Sequence, residues 1–493
     1  MLGVVLFFIP FIRGVRSGSD VADLISIKFR NSLGRIKDVS LKTTLKWCSV
    51  MSVRTPRRLR ASLVLLLTTL SAGPSWADNL LETYRQSFTT DPALAQARAN
   101  LDAEMQSRPL ARSALLPHMG LATGFGENTA NITGLGNPIS QSYPSNNFSV
   151  NLTQTVFNGQ AWTALSQADN RIQASEAALV YAEQQLALKV ATAYFGVLQA
   201  EAQERVAVEQ EKLLDNINQQ TKATLEVGTG DVIAVHEAQA RLDAARSDLI
   251  KAHNAVTVAR RSLQRLTHQP VGRLDDLGHF EAMPPQPARS EPWVETALAN
   301  QPLIHQTEAQ LRIAQEQVEF NRRARWPVVN LQGVSQHTMG SPFPNLDINQ
   351  KGASLNLSMP IFDGGQISAS VDQAQAQAQA SVQALAGLRD EVTLSTQTAF
   401  LNLQDSVAQL QAAEVAATSA KVSLEGTRTG FEVGTRSIID VLNVATDFIR
   451  AEQNYNVALY AHVLARVNLK AAAGILTVAD LESVNALLNH AAQ

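Results

Sequence analysis

The chain has 493 residues and a single cysteine, Cys48, which lies within the first 77. The remainder carries no thiol, which excludes a disulfide framework, a cysteine-ligated metal site and cysteine catalysis there. No run of 18 or more apolar residues follows residue 77, so that region holds no membrane-spanning helix. Basic charge is scarce over the same stretch. Residues 1–77 take 12 of the 41 basic side chains and 3 of the 44 acidic ones, leaving 29 against 41, a net of −12. Sequence-independent nucleic-acid binding needs a basic surface and is therefore not expected.

Signatures of chemistry are missing as well. There is no His-Glu-x-x-His, no phosphate-cradling Walker loop and no Gly-x-Ser-x-Gly. Gly124-Phe125-Gly126 and Gly134-Leu135-Gly136 are loop glycines without the rest of a dinucleotide pattern. The nine histidines are scattered without metal-ligand spacing. No enzyme, cofactor or metal is expected.

What is present begins with an address. Arg54, Arg57, Arg58 and Arg60 precede an apolar stretch at Ala61–Leu70 and a small-x-small site at Ser75-Trp76-Ala77. Those are the three parts of a secretory signal, so 51–77 reads as a signal peptide and the mature chain starts near Asp78. Translation is expected to start at Met51, with 1–50 an upstream extension. The rival reading is a long leader with a second apolar run at Leu2–Ile12. Lys46-Trp47-Cys48-Ser49 lacks the small residues of a lipid-attachment site.

The mature chain is written twice. Asp91-Pro92-Ala93-Leu94 is answered by Asn300-Gln301-Pro302-Leu303, and Leu115-Leu116-Pro117 by Arg325-Trp326-Pro327. Thr155-Val156-Phe157-Asn158-Gly159 is answered by Pro360-Ile361-Phe362-Asp363-Gly364, and Glu226-Val227-Gly228-Thr229 by Glu432-Val433-Gly434-Thr435. Offsets stay between 205 and 210 residues, so the halves are 78–285 and 286–493.

Within each half a Gln/Ala-rich, proline-free run repeats apolar residues every seven positions. In the first these are Leu165, Ile172, Leu179, Leu186 and Ala193; in the second Val371, Ala378, Leu385, Val392 and Ala399. Sustained heptads predict long helices in coiled-coil contact, 160–226 and 366–432, each about 100 Å long. Shorter helices are predicted at 93–114 and 232–267, and at 303–325 and 437–472. Period-two stretches separate them: Phe148, Val150 and Leu152 against Ser149, Asn151 and Thr153, and Ala353, Leu355 and Leu357 against Ser354, Asn356 and Ser358. Weaker partners precede these, with Met119, Leu121 and Phe125 in one half and Val329 and Leu331 in the other. The spacing predicts β-hairpins at 116–157 and 327–362, joined by loops near 127–147 and 338–350, each with one apolar and one polar face.

Four strands cannot close into a barrel, and lipid does not tolerate open strand edges. If the hairpins are membranous, several chains must pool them. The alternative is a small sheet in a soluble domain, a poor companion for helices of such length.

Gly430-Phe431-Glu432-Val433-Gly434-Thr435-Arg436-Ser437-Ile438-Ile439-Asp440-Val441-Leu442-Asn443 closely resembles the second helical turnaround of the TolC family of outer-membrane exit ducts. Ala191-Thr192-Ala193-Tyr194-Phe195-Gly196-Val197-Leu198 and the Pro-Ile-Phe-Asp-Gly-Gly stretch at 360–365 are similar to that family too, and the resemblance covers 79–485. It implies a mixed α+β membrane protein: a homotrimer with a twelve-stranded β-barrel, four strands per chain, in outer-membrane lipid. A long periplasmic α-helical coiled-coil barrel would continue it, with a mixed equatorial region near 269–302 and 474–490. The implied partners are a periplasmic adaptor and a proton-driven or ABC-type inner-membrane pump. The implied function is passive conduction of drugs, small toxic molecules or secreted proteins. A dedicated type I protein-secretion exit is the alternative within the class, and a periplasmic coiled-coil scaffold without a pore the alternative outside it.

By the same resemblance, the turnaround tips Val227, Gly228, Thr229, Val433, Gly434 and Thr435 contact the adaptor. Phe431, Arg436, Asp440 and Asn443 lie at a periplasmic gate. Three Asp440 carboxylates around a threefold axis would repel one another, raise their pKa values and favour cations. Ser437-Ile438-Ile439-Asp440 also reads as a capping-box helix start, and Asp440 could do both. Two positions depart from the family pattern. Asn443 stands where a second acidic ring is expected, and Ala234 where the gate arginine has its acidic partner, leaving Asp231 as the nearest substitute.

Overall fold

The computed structural model describes residues 79–132, 139–228, 230–277, 282–341 and 346–489, all within a unit spanning Ser75–Gln493. The signal segment and everything before it lie outside the described residues.

The heptad runs are two helices of 68 and 67 residues, α4 (Gly159–Glu226) and α8 (Gln366–Glu432), each about 100 Å long at ~1.5 Å per residue. Every heptad position named above is buried or half-buried. Both helices start on the repeated Phe-Asn/Asp-Gly motif. Asn158 accepts hydrogen bonds from the Gln160 and Ala161 amides, and Asp363 from those of Gly365 and Ile367. A short acceptor side chain therefore satisfies the free amides at each strand-to-helix junction.

Shorter helices flank the long ones. The first half has α1 (Leu80–Thr90), α2 (Pro92–Met105), α3 (Ser107–Ser113) and α5 (Val232–Thr267). The second has α6 (Glu291–Asn300), α7 (Pro302–Arg322), continued by a 3₁₀ turn at Arg323–Arg325, α9 (Ile438–Ala472) and α10 (Val478–Asn485). The expected continuous helix over 93–114 is broken at Gln106. Pro109 brings no amide hydrogen and its ring conflicts with the carbonyl of Met105, so α2 stops there and α3 restarts. The two long helices do not pack on each other. On the sheet side α7 fits between α4 and α8; on the far side α9 does, with α5 against the other flank of α4.

The strands are β1 (His118–Ile132), β2 (Ile139–Phe157), β4 (Val328–Met339) and β5 (Ile348–Ser358), antiparallel in the order β1-β2-β4-β5. They run into stretches expected to be loops, because Asn- and Ser-rich backbone pairs as well as any other once a ladder is started. Pro144 is tolerated within β2 because pairing with β4 begins only at Asn146. A second, two-stranded sheet pairs β3 (Asp276–Leu277) with β6 (Leu488–Asn489), tying the ends of the two halves together.

That small sheet sits on the largest core. Tyr194, Phe195, Val197 and Leu198 of α4 pack there with Leu80 and Tyr84 of α1, Leu263 of α5, Tyr460 and Val463 of α9 and Leu481 of α10. Two buried tyrosines secure β3: Tyr194 donates to the Asp275 carbonyl at 3.1 Å and Tyr460 to Asp276 Oδ1 at 3.0 Å. Arg205 pairs with Asp276 at 2.9 Å.

Candidate functional site: a two-faced sheet and the helical tips

Strand register decides which side chains share a face. Met119, Leu152, Gly333 and Ala353 form one row across the sheet; Leu121, Val150, Ser335 and Lys351 form the next. Leu331 pairs with Leu355, and Val329 with both Leu357 and Phe157, on the same face. The opposite face carries Ala122, Ser149, Gln336 and Gln350, then His118, Thr153, Gln332 and Ser354, then Thr155, Asn330 and Asn356. The apolar sets of all four strands thus coincide. Phe125 is 80% exposed and Leu357 68%, a contiguous apolar surface of the kind that marks a partner or a membrane. On the polar face the side chains bond one another, as Asn356 does to Gln332 at 2.8 Å. The apolar band is shorter than the strands, since Ser335, Lys351 and the His337–Asn349 pair occupy its outer rows in β4 and β5.

At the far end both long helices reverse through a left-handed glycine, Gly228 at φ +78° and Gly434 at φ +80°. A side chain with a Cβ is strained in that conformation. The second reversal is closed by the Gly430 carbonyl, which accepts from the Thr435 amide at 2.8 Å and the Arg436 amide at 3.2 Å. A Cβ on Gly430 would lie 2.8 Å from Arg436 Cγ, so a larger residue there would force the Arg436 side chain to shift. Val227 and Val433 project from the two tips, 74% and 69% exposed. Thr229 lies outside the described residues.

The expected capping box is present in full. Ser437 Oγ accepts from the Asp440 amide at 3.1 Å, and Asp440 Oδ2 accepts from the Ser437 amide at 3.0 Å and its hydroxyl at 2.8 Å. Within one chain these bonds, with Arg436 nearby, hold the Asp440 carboxyl below the usual carboxylate range. Repulsion around a threefold axis would act against them. Phe431 packs half-buried against a core in which Leu214 and Ile217 of α4, Ala234 and Ala238 of α5, Leu424 of α8 and Val441 and Leu442 of α9 meet. Ala234 stands at a contact with no room or polarity for a carboxylate. Asp231 caps α5 through the Ile233 amide at 3.0 Å, and among the described residues Arg436 forms no ion pair.

A different arginine joins the halves, one the sequence did not single out. Arg241 of α5 donates to Thr446 Oγ1 at 3.0 Å and Asn443 Oδ1 at 2.9 Å on α9, and to Glu237 Oε1 at 3.0 Å on its own helix. Its spacing from Glu237 was visible as an i,i+4 pair; its partners on α9, about 200 residues away, carry no sequence signal.

Among the described residues no helix is long and apolar enough to cross a membrane, which says nothing about the sheet. A family model described as outer membrane efflux protein matches residues 83–268 and 293–475. The two matched segments are displaced by the offset of the internal repeat. Outer membrane protein TolC of Vibrio cholerae is 28% identical over 432 residues, covering 85% of this chain and 96% of that one. Alkaline protease secretion protein AprF of Pseudomonas aeruginosa is 27% identical, covering 88% and 92%. The crystal structure of the Campylobacter jejuni CmeC outer membrane channel superposes with a TM-score of 0.73 at 16% identity, covering 84% of this chain and 90% of that one, and so shares the fold. With the repeat, the two-faced sheet and the paired helical reversals, these matches establish that the chain belongs to the outer membrane efflux protein family, whose members are outer-membrane efflux and secretion ducts.

Proposed function

We propose that three copies of this chain pool their sheets into one twelve-stranded barrel in the outer membrane, continued by the helices as a duct through the periplasm. The observation that carries this reading is the four-stranded sheet with one face apolar and exposed while β1 and β5, at its edges, have no further strand among the described residues. Unpaired edges in lipid cost several kcal/mol per group, so the edges must meet edges of other copies. The helical layer supports assembly of several copies. Leu394, Leu401, Ala408, Val415 and Val422 recur every seven residues on α8, and all are exposed. An exposed strict heptad stripe over about 40 Å is a coiled-coil seam awaiting its partner.

The polar face of the sheet then lines the lumen. Conduction is passive, since no sequence element binds nucleotide, and free energy comes from an inner-membrane pump. The tips, with Val227 and Val433 exposed, are the contact for a periplasmic adaptor. Phe431, Arg436, Asp440 and Asn443 line the gate, with Asp440 both capping α9 and presenting its carboxylate to cations. Cargo is drugs and small toxic molecules or secreted proteins; the likeness to a protease secretion protein favours neither, because a duct open to many cargoes has no cargo-specific pocket. A pore-free scaffold is the reading from another class, and the apolar outer face argues against it. The test is purification in mild detergent followed by planar-bilayer recording. A trimeric particle with discrete conductance is expected; a water-soluble monomer without conductance would overturn the proposal.

A further inference from the structure

The foot of the sheet carries a feature the duct itself does not require. Phe157, the last residue of β2, pairs with Val329 and so belongs to the apolar face. Its ring stacks on Trp326, centroids 6.1 Å apart and planes 13° apart, and the Arg323 guanidinium carbon lies 5.2 Å from the Trp326 ring centroid. The column is locked from behind, because Trp326 Cε3 sits 2.7 Å from where a Cβ on Gly159 would be. It is nonetheless open in front, with Phe157 38% and Trp326 45% exposed. Donors there are underused. Arg323 makes one long bond to the Gly159 carbonyl at 3.5 Å, and Arg325 one to Ser368 Oγ at 2.9 Å. Neither forms an ion pair among the described residues, and the Trp326 indole N–H meets no protein acceptor there. The nearby Asp363 carboxylate caps α8 and feels the Arg325 charge only as a minor influence beside its two amide bonds.

Packing alone does not explain the choice of residues. At the equivalent foot of the first half the duplication places Ser113, Leu115, Leu116 and Pro117 where the second half has Arg323, Arg325, Trp326 and Pro327. The first foot has a serine and two leucines where the second has two arginines and a tryptophan, on the same scaffold. Position matters too. β2 and β4 are the central pair of the sheet, so joining β1 and β5 to neighbouring copies leaves this foot uncovered.

We propose that this foot binds an anionic phospholipid of the periplasmic leaflet, one per protomer; the proposal rests on the membrane reading of the sheet. The phosphate would be held by the Arg323 and Arg325 guanidinium groups, whose planar donor forks suit phosphate oxygens, with the Trp326 N–H as a further donor. The first acyl carbons would lie along the Phe157 and Trp326 rings, an interfacial role suited to amphipathic aromatics. Clusters of basic side chains at a membrane surface recognise anionic headgroups through this chemistry.

The test is native mass spectrometry of the purified full-length assembly titrated with phosphatidylglycerol or phosphatidylcholine of matched chains, with bilayer conductance recorded on the same preparation. Retention of phosphatidylglycerol is expected to exceed that of phosphatidylcholine about tenfold, because the choline ammonium that sits beside the same phosphate repels the two guanidinium groups, and to saturate at one lipid per protomer. The double variant R323Q/R325Q should lose the preference. W326L, which installs the residue of the other half, should weaken retention with the charges intact and serves where the double variant fails to assemble. Millimolar inorganic phosphate should not displace the lipid. Equal retention of the two lipids, a preference unchanged in both variants, or displacement by phosphate would overturn the proposal. A preparation that conducts without lipid preference refutes this inference alone, whereas one that does not conduct refutes the membrane reading beneath it.

Discussion

Replacing Arg241 with alanine tests how the two halves are held together near the tips. The guanidinium makes two hydrogen bonds across to α9, to Asn443 and Thr446, and one i,i+4 ion pair with Glu237. Bonds from a charged donor contribute about 1.5–3 kcal/mol when buried. The Arg241 side chain is 29% exposed, so each cross-helix bond is discounted to about 1 kcal/mol, and the ion pair with Glu237 adds no more than ~0.5 kcal/mol. Truncation should therefore cost about 2 kcal/mol per protomer of the arrangement in which α5 and α9 are docked, a factor of roughly 30 in its population. In planar bilayers Arg241→Ala should show a raised open probability or a larger mean conductance than wild type. A double-mutant cycle with Asn443→Ala, read by thermal unfolding of the purified assembly, should return a coupling of about 1 kcal/mol. Asn443→Asp should act in the opposite direction, replacing a neutral acceptor with a charged one. Unaltered conductance in Arg241→Ala together with a coupling below about 0.3 kcal/mol would refute the reasoning.

Asp440→Ala should reduce block of single-channel current by multivalent cations and also loosen the start of α9, since it removes half of the capping box; unchanged block would remove Asp440 from the gate. Because its folded-state pKa is depressed by the Ser437 bonds, the Asp440 contribution is present above the ordinary carboxylate value of 3.8 and is lost as pH falls through the lower folded value; hydrogen exchange at the tip against pH measures this. His462 is fully buried on α9 with Nδ1 2.8 Å from Ser406 Oγ, and burial, then Arg466, pushes its pKa down from 6.5 to about 4. Below pH 6.5 the unfolded chain binds a proton that the folded chain refuses, so stability should fall from there to about pH 4. His462→Gln should flatten that part of the melting-temperature profile, and an unchanged profile would exclude His462 as its source. The double substitution Leu401→Glu and Val415→Glu, which puts charge on the exposed α8 stripe, should prevent assembly while leaving the helical content of the monomer intact by circular dichroism; assembly at normal yield would show that the stripe is not a seam.

Much of this protein was legible in its residues, because local chemistry determined it. Heptads too regular to be anything but long helices marked α4 and α8, and the short acceptors Asn158 and Asp363 marked where they begin. Gly228 and Gly434 marked where they reverse, and alternating Phe148, Val150 and Leu152 marked a two-faced strand. These signals depend on periods of 3.5 and 2 and on backbone angles, all carried within a dozen residues. The strand extensions into the Asn- and Ser-rich loops and the small helices α1, α6 and α10 escaped notice because side-chain preference is weak there and pairing or packing decides. Register could not be read either. Only the sheet showed that Met119, Leu152, Leu331 and Leu355 share a side, since that depends on how four strands slide past one another. The tertiary structure alone also brought Arg241 to Asn443, set Ala234 in an apolar contact where an acid was expected, and stacked Phe157, Trp326 and Arg323 into one column. The Arg241 bonds to α9 and the Phe157–Trp326 stack join residues 169 to 205 positions apart in the chain, and no periodicity in a sequence reports a distance that only folding closes.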